Sequence, residues 1–193
     1  MEITDRCEEC GREINRGYES VHVTEPDGSD SRQLCLECYN REMAAYAGID
    51  FVHPKFSPVE LADTKGDKHV FYIATRLLGD RVAVEAYEKE ADPGYRFKVV
   101  GEAKKVQKAF EKLLGKMRRA LNWRHLVEEE GRLTVADDLK VRGRFEWDDE
   151  KDGKLPLLVV DGKTVTWHDF GRILMTYEGW QFKLEIYDPS DEV

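Results

Sequence analysis

The chain has 193 residues, 41% of them hydrophobic and 36% charged, a composition that describes a globular protein of one or two domains with room for one substantial core. Its longest apolar run is LPLLVV at 155–160 and its N-terminus, MEITDRCEEC, is polar and acidic; a membrane span and a secretory signal are both excluded, and a cytoplasmic location is expected. A formal charge of −9 argues against phosphate contact over most of the surface, because nucleic-acid binding relies on cations that release counterions.

In chain order, the first signal is CEECG at 7–11, a C-x2-C pair followed by a glycine where a tight turn commonly needs positive φ. The stretch GYESVHVTEPDGSDSRQL then reads as a hairpin, with Tyr18, Ser20 and His22 alternating into the turn signal Pro26-Asp27-Gly28 and a return to Leu34. A second C-x2-C pair, Cys35 and Cys38, lies 24 residues after the first and opens a predicted helix, YNREMAAYA, with Met43, Ala44 and Ala47 at apolar spacing and Gly48 as its stop.

All four cysteines fall in the first fifth of the chain, whereas a disulfide framework would scatter them across a secreted fold. Two residues between thiols let one turn aim both sulfurs at one ion, and two such turns supply the four tetrahedral ligands that zinc prefers. Cys7, Cys10, Cys35 and Cys38 are therefore the candidate metal ligands, with structural Zn2+ as the expected cofactor. A thioredoxin-like dithiol would use a single pair beside a βαβ unit. A rubredoxin-type iron site is the remaining competitor, since four tetrahedral sulfurs suit either metal. His22 is read as a surface or hairpin-packing residue and not as a ligand.

Knuckle, hairpin, then a helix carrying the last two ligands is an order in which residues 7–48 resemble a treble-clef zinc finger. Such fingers serve DNA, RNA, protein and structural roles, so the resemblance implies a fold without assigning a function. Four thiolates close the coordination sphere, which predicts a metal that holds structure and does not catalyse. Residues 1–48 carry eleven Asp or Glu against five Arg, a charge that should repel phosphate and favour protein contact or capping of the remainder.

The prolines of IDFVHPKFSP, at 49–58, place the predicted boundary near residue 52: a finger over 1–52 and an α+β domain over 53–193. In the latter, KHVFYIATRLL, DRVAVEAYEKE and GYRFKVV alternate as an antiparallel β-meander over 69–100, broken at Gly79-Asp80 and Asp92-Pro93-Gly94. A long amphipathic helix over 102–126 follows, with Val106, Phe110, Leu113, Leu114, Met117 and Leu121 on one face. Its segment 102–125 holds eight cations (Lys104, Lys105, Lys108, Lys112, Lys116, Arg118, Arg119 and Arg124) against Glu102 and Glu111. The surface could dock an acidic partner, RNA or a membrane; as a solvated face it would be compensated by acidic stretches such as Glu128-Glu129-Glu130 and EWDDEKD. Trp123 is assigned to the core.

Over 139–187 the pattern predicts a hairpin (VRGRFEW, then LPLLVVDGKTVTW), a helix opened by Thr166 and Asp169, a stop at Gly179 and a final strand, WQFKLEIYD, before a frayed SDEV tail. Trp147, Trp167, Trp180, Phe170 and Tyr177 are expected to form its core. The segment DGKTVTWHDFGRILMTYEGWQFKLEI, at 161–186, is similar to uncharacterised bacterial proteins, some with a four-cysteine finger. That likeness implies no reaction.

With the thiols assigned to metal, no nucleophile motif, P-loop or dinucleotide fingerprint stands in the chain. His53, His69, His125 and His168 are isolated in sequence. Asp148, Asp149, Glu150 and Asp152 read as a solvated acidic loop that departs from the EF-hand pattern. The expectation is a zinc-binding protein-interaction or adaptor protein and not an enzyme, with no membrane span. A nucleic-acid-associated factor using helix 102–125 is the first alternative; the second is a hydrolase built around His168 or His53 with carboxylates.

Overall fold

The computed structural model describes residues 4–15, 17–24, 28, 31–91 and 93–191. The predicted turn residues Pro26 and Asp27, the break at Asp92 and the end of the SDEV tail lie outside them. Two short strands, β1 (Thr4–Arg6) and β2 (Glu13–Asn15), pair antiparallel around the first cysteine pair. A hairpin of β3 (Ser20–Thr24) and β4 (Ser31–Cys35) leads directly into helix α1 (Leu36–Ala47). That helix ends where the sequence predicts, at Gly48, whose left-handed φ of 64° lets its amide reach the carbonyls of Ala44 and Ala45.

The main sheet has the order β5-β6-β7-β8, all antiparallel. Strands β6 (Lys68–Leu78), β7 (Arg81–Glu88) and β8 (Arg96–Glu102) coincide closely with the predicted meander. Strand β5 (Val59–Ala62) is an additional edge strand that the two nearby prolines obscured. Helix α2 (Val106–Leu121), preceded by a 3-10 turn at Ala103–Lys105, is shorter than the predicted span and packs on β7 and β8. Its buried stripe is Ala109, Leu113, Met117 and Leu121. Gly101 admits it closely, because a Cβ there would stand 3.0 Å from that of Ala109. Trp123, expected in the core, is 54% exposed: the helix stops at Leu121, so its buried stripe ends before reaching it.

Helix α1 belongs to this core as much as to the thiol region. Ala44 is buried in one cluster with Phe71, Leu77, Val84, Leu113 and Met117. Beside it, fully buried Asn40 donates to the Thr75 carbonyl (2.8 Å) and accepts from the Leu77 amide (2.8 Å), and its Nδ2 lies 2.7 Å from Nδ1 of His53. Tyr39 adds a hydroxyl bond to the Leu77 carbonyl.

The last third starts with a hairpin absent from the sequence expectation, β9 (Leu126–Glu129) with β10 (Arg132–Val135). A three-stranded sheet of β11 (Gly143–Glu146), β12 (Leu157–Val160) and β13 (Lys163–Thr166) follows, with β12 central. Helix α3 (Trp167–Leu174) starts as predicted: the Asp169 amide donates to Thr166 Oγ1, and that hydroxyl donates to the Asp169 carboxylate.

Two expectations for this region are corrected. Residues 180–188 form no strand, and among the described residues no edge is hydrogen-bonded to them. Lys116 on α2 instead binds the carbonyls of Pro189 and Asp191, drawing the end of the segment to the helix. The expected tryptophan core also fails to form: Trp147, Trp167 and Trp180 are 67%, 43% and 66% exposed. The small core is Leu158, Val160 and Val165, with Phe170 packed against it; a three-stranded sheet carrying one short helix has no second layer to cover the indoles.

A buried charged joint connects this region to the main sheet. The Asp63 side chain, fully buried, pairs with Arg124, lies 3.7 Å from His69 Nε2 and accepts from the amides of Lys65 and Asp67. Desolvation acts to raise its pKa, but those amide bonds together with Arg124 and His69 outweigh it and hold the carboxyl below its ordinary value. On the far side, the Asp161 carboxylate accepts from the amides of His125 and Leu126.

Asn40→Ala leaves a buried amide and a buried carbonyl unpaired and is expected to cost about 3 kcal/mol in denaturant unfolding; a loss below about 0.5 kcal/mol would show that water replaces the side chain. For Asp63 the depressed pKa means a stabilising contribution present above the ordinary Asp value and lost as pH falls through the folded one. Melting curves of the wild-type protein should therefore decline below about pH 4, more steeply than those of Asp63→Asn, which is destabilised already at neutral pH. Equal acid slopes would contradict the role given to this carboxylate.

Candidate metal centre

The first cysteine pair sits in a tight turn closed by two backbone bonds, Cys7 amide to Arg12 carbonyl (2.9 Å) and Gly11 amide to Cys7 carbonyl (2.8 Å). Gly11 takes the positive φ, 73°, that its place after the pair anticipates. The turn is fastened to β4: the Glu8 amide donates to the Gln33 carbonyl, and the Gln33 amide returns a bond to the Glu8 carboxylate at 2.8 Å. The second pair straddles the start of α1. Cys35 is both the last residue of β4 and the N-cap of the helix, its sulfur accepting from the Cys38 amide at 3.4 Å.

These two devices bring the four sulfurs of Cys7, Cys10, Cys35 and Cys38 within 4.8 Å of one another. Cys10 and Cys35 Sγ stand 3.9 Å apart and no cysteine is in a disulfide. Sulfurs at about 2.3 Å from a tetrahedral ion would be about 3.8 Å apart, so the residues present fit a bound cation. Cys7, Cys35 and Cys38 are buried and Cys10 is exposed. Among the described residues no other group of His, Cys, Asp or Glu converges in this way.

Electrostatics at the cluster calls for a cation. Burial acts to raise the Cys7 pKa, but amide bonds from Cys35, Cys10 and Glu9 prevail and lower it to about 6. Burial pushes Cys35 and Cys38 up, and for Cys38 the neighbouring sulfurs add to the effect. Four thiolates this close are stable only if positive charge stands among them. The Arg41 guanidinium, 3.7 Å from Cys38 Sγ and paired with Glu9, supplies part of it from outside the sulfur set.

His22 is exposed on β3, away from any ligand role. His53 borders a hollow of about 280 Å³ between the start of α1 and β6, shared with Arg12, Glu19 and Glu37. Burial lowers its pKa, and an accepting Nδ1 beside Asn40 requires the neutral ring. Both carboxylates there are engaged, Glu19 with the Asn15 amide and Glu37 with Arg12. His168 is exposed on α3. Asp148 caps the 3-10 turn Asp149–Lys151 through the Glu150 amide.

The cations of 102–125 are divided by the fold. Arg124 is committed to Asp63, Lys105 to Glu102, and Lys116 to the carbonyls of Lys98, Pro189 and Asp191. Lys104, Lys108, Lys112, Arg118 and Arg119 are exposed. Among the described residues no helix is long and apolar enough to cross a membrane.

Sequence reasoning missed Asn40 and Arg41. Asn40 was detectable, because it interrupts the apolar i, i+4, i+8 row of Leu36 and Ala44. Arg41 carried no distinguishing pattern.

Three consecutive stretches match models of protein domains without an assigned role: residues 6–50 a domain of unknown function (DUF7685), residues 53–122 another (DUF7686) and residues 125–191 a third (DUF7713). The thiol cluster lies within the first. No curated protein and no solved structure matches the chain.

Chelation of bound metal, or Cys35→Ser, should remove one metal equivalent per chain and lower the melting temperature sharply, since closed thiolate sites supply on the order of 10 kcal/mol to the units they hold. The loss should reach the main sheet, because α1 shares its core; unchanged metal content and melting in Cys35→Ser would refute the site.

Proposed function

We propose that the protein is a zinc-stabilised protein-interaction module. Its N-terminal unit, residues 1–52, is read as a treble-clef finger in which Cys7, Cys10, Cys35 and Cys38 hold a structural Zn2+, and residues 53–193 as the α+β domain it caps. The observation that carries this reading is the convergence of four sulfurs within 4.8 Å, a complete tetrahedral set that leaves no position for water or substrate. The order of thiol turn, hairpin and helix supports the treble-clef assignment, and the burial of three of the four sulfurs supports a structural metal.

The binding role is supported by the number of large apolar side chains exposed in the last third, among them Phe145, Trp147, Leu155 and Trp167; exposed indoles of this kind serve as anchors in protein interfaces. The nucleic-acid reading has the exposed row Lys104, Lys108 and Lys112 in its favour. Against it stand the acidic N-terminal unit and the commitment of Lys116 to the acidic C-terminal segment.

The test combines metal analysis with separated surfaces. Protein purified from its native host should contain one zinc and no iron. A specific protein partner should copurify with the wild-type chain and with the Lys108→Glu, Lys112→Glu double variant, and be lost on Trp147→Ala. Salt-sensitive RNA or DNA binding abolished by the lysine substitutions would instead establish the phosphate-binding alternative. Iron at the four sulfurs would overturn the zinc assignment alone.

A further inference from the structure

The segment WQFKLEIY, residues 180–187, has the alternation of a half-buried strand, yet every residue from 178 to 189 is exposed. Trp180, Phe182, Leu184 and Ile186 are 66%, 91%, 68% and 73% exposed, and an apolar row of this size on one side of an unpaired segment marks an interaction surface. Among the described residues no strand pairs with it. The domain match over 125–191 contains it whole.

What could complete it is written in its own order of residues. If FKLEI, 182–186, is laid antiparallel on a second copy of itself with the twofold axis at Leu184, each Lys183 faces a Glu185. Leu184 meets Leu184 and each Phe182 meets an Ile186. The apolar pairs fall on one face of the ribbon and the two ion pairs on the other, because side chains alternate along a strand. Opposite-charge and aromatic–aliphatic cross-strand pairs are the stabilising ones in antiparallel sheet. A twofold axis demands this kind of self-complementarity, since one patch must serve both subunits. In the single chain Lys183 pairs with its own Glu185, and both side chains are exposed.

We propose that residues 180–187 are a dimerisation strand, and that its occupant is the same segment of a second copy of this chain, paired antiparallel about Leu184. A two-stranded ribbon is marginal alone, so its apolar face closes on the exposed Leu174 and Met175 immediately upstream, 47% and 65% exposed. The inference rests on the last third of the chain and not on the metal, so a failure of one leaves the other standing.

Sedimentation equilibrium of the full-length, metal-loaded protein should give a mass rising with concentration toward twice the 22.4 kDa of one chain. Hydrogen exchange should slow at the amides of 181–187 over the same range. Lys183→Glu places like charges across the axis twice and should weaken association at least tenfold. Adding Glu185→Lys to it restores both pairs in reversed sense and should restore association, a rescue that a general loss of folding cannot give. A monomer at every concentration overturns the proposal, whether the segment then pairs within its own chain or awaits a different protein. Dimers indifferent to Lys183→Glu overturn the register about Leu184.

Discussion

Helix α1 is the constraint on which the rest of the structure depends, because three of its features answer to different neighbours. Its first turn presents Cys35 and Cys38 to the thiol cluster, its middle buries Asn40 against the backbone of β6, and Ala44 enters the hydrophobic core of the main sheet. A rotation of the helix by even one residue would move each of these groups by about 100°. One orientation of the helix satisfies both the sulfur cluster and the bonds of Asn40 to Thr75 and Leu77. The thiol unit is thus joined to the sheet by polar bonds of fixed geometry, which specify an orientation that apolar packing alone would leave adjustable.

Charge is organised on the same local principle. The chain is acidic overall, and three of its cations are held at fixed places: Arg41 lies beside the sulfurs, Arg124 beside buried Asp63, and Lys116 on the carbonyls of Lys98, Pro189 and Asp191. Each meets negative charge or backbone oxygen concentrated by the fold. Lys116 on the basic helix is ordered by the carbonyls of Pro189 and Asp191, far along the chain. Distance in sequence is a poor guide to electrostatic pairing, because a charge responds to what lies within several Å of it in space.

The last third differs physically from the rest. Its buried set is short, Leu158, Val160 and Val165 with neighbours, while Trp147, Trp167 and the row from Trp180 to Ile186 remain at the surface. The main sheet, by contrast, is covered by α2 and buries Phe71, Leu77, Val82 and Val84 almost completely. Apolar side chains left uncovered in this number mark an interaction surface, and this contrast underlies both the proposed interaction role and the proposed self-pairing strand.

Much of the architecture was legible in the amino-acid order. The meander, the α2 stripe, the capping Thr166 and the Gly48 stop follow from short-range periodicity and turn chemistry, which act over a few residues and are encoded there, whereas α3 ends at Leu174, ahead of the expected Gly179. The pairing of thiols in two C-x2-C turns was equally local. What only the tertiary structure decided is where those local pieces meet: that the two turns bring their sulfurs within 4.8 Å, that Asn40 and Asp63 are buried joints, and that the apolar alternation of 180–187 finds no partner strand among the described residues. The physical reason is that periodicity states which face of an element seeks burial but not what will cover it, since that depends on groups distant in sequence and fixed only when the chain closes on itself.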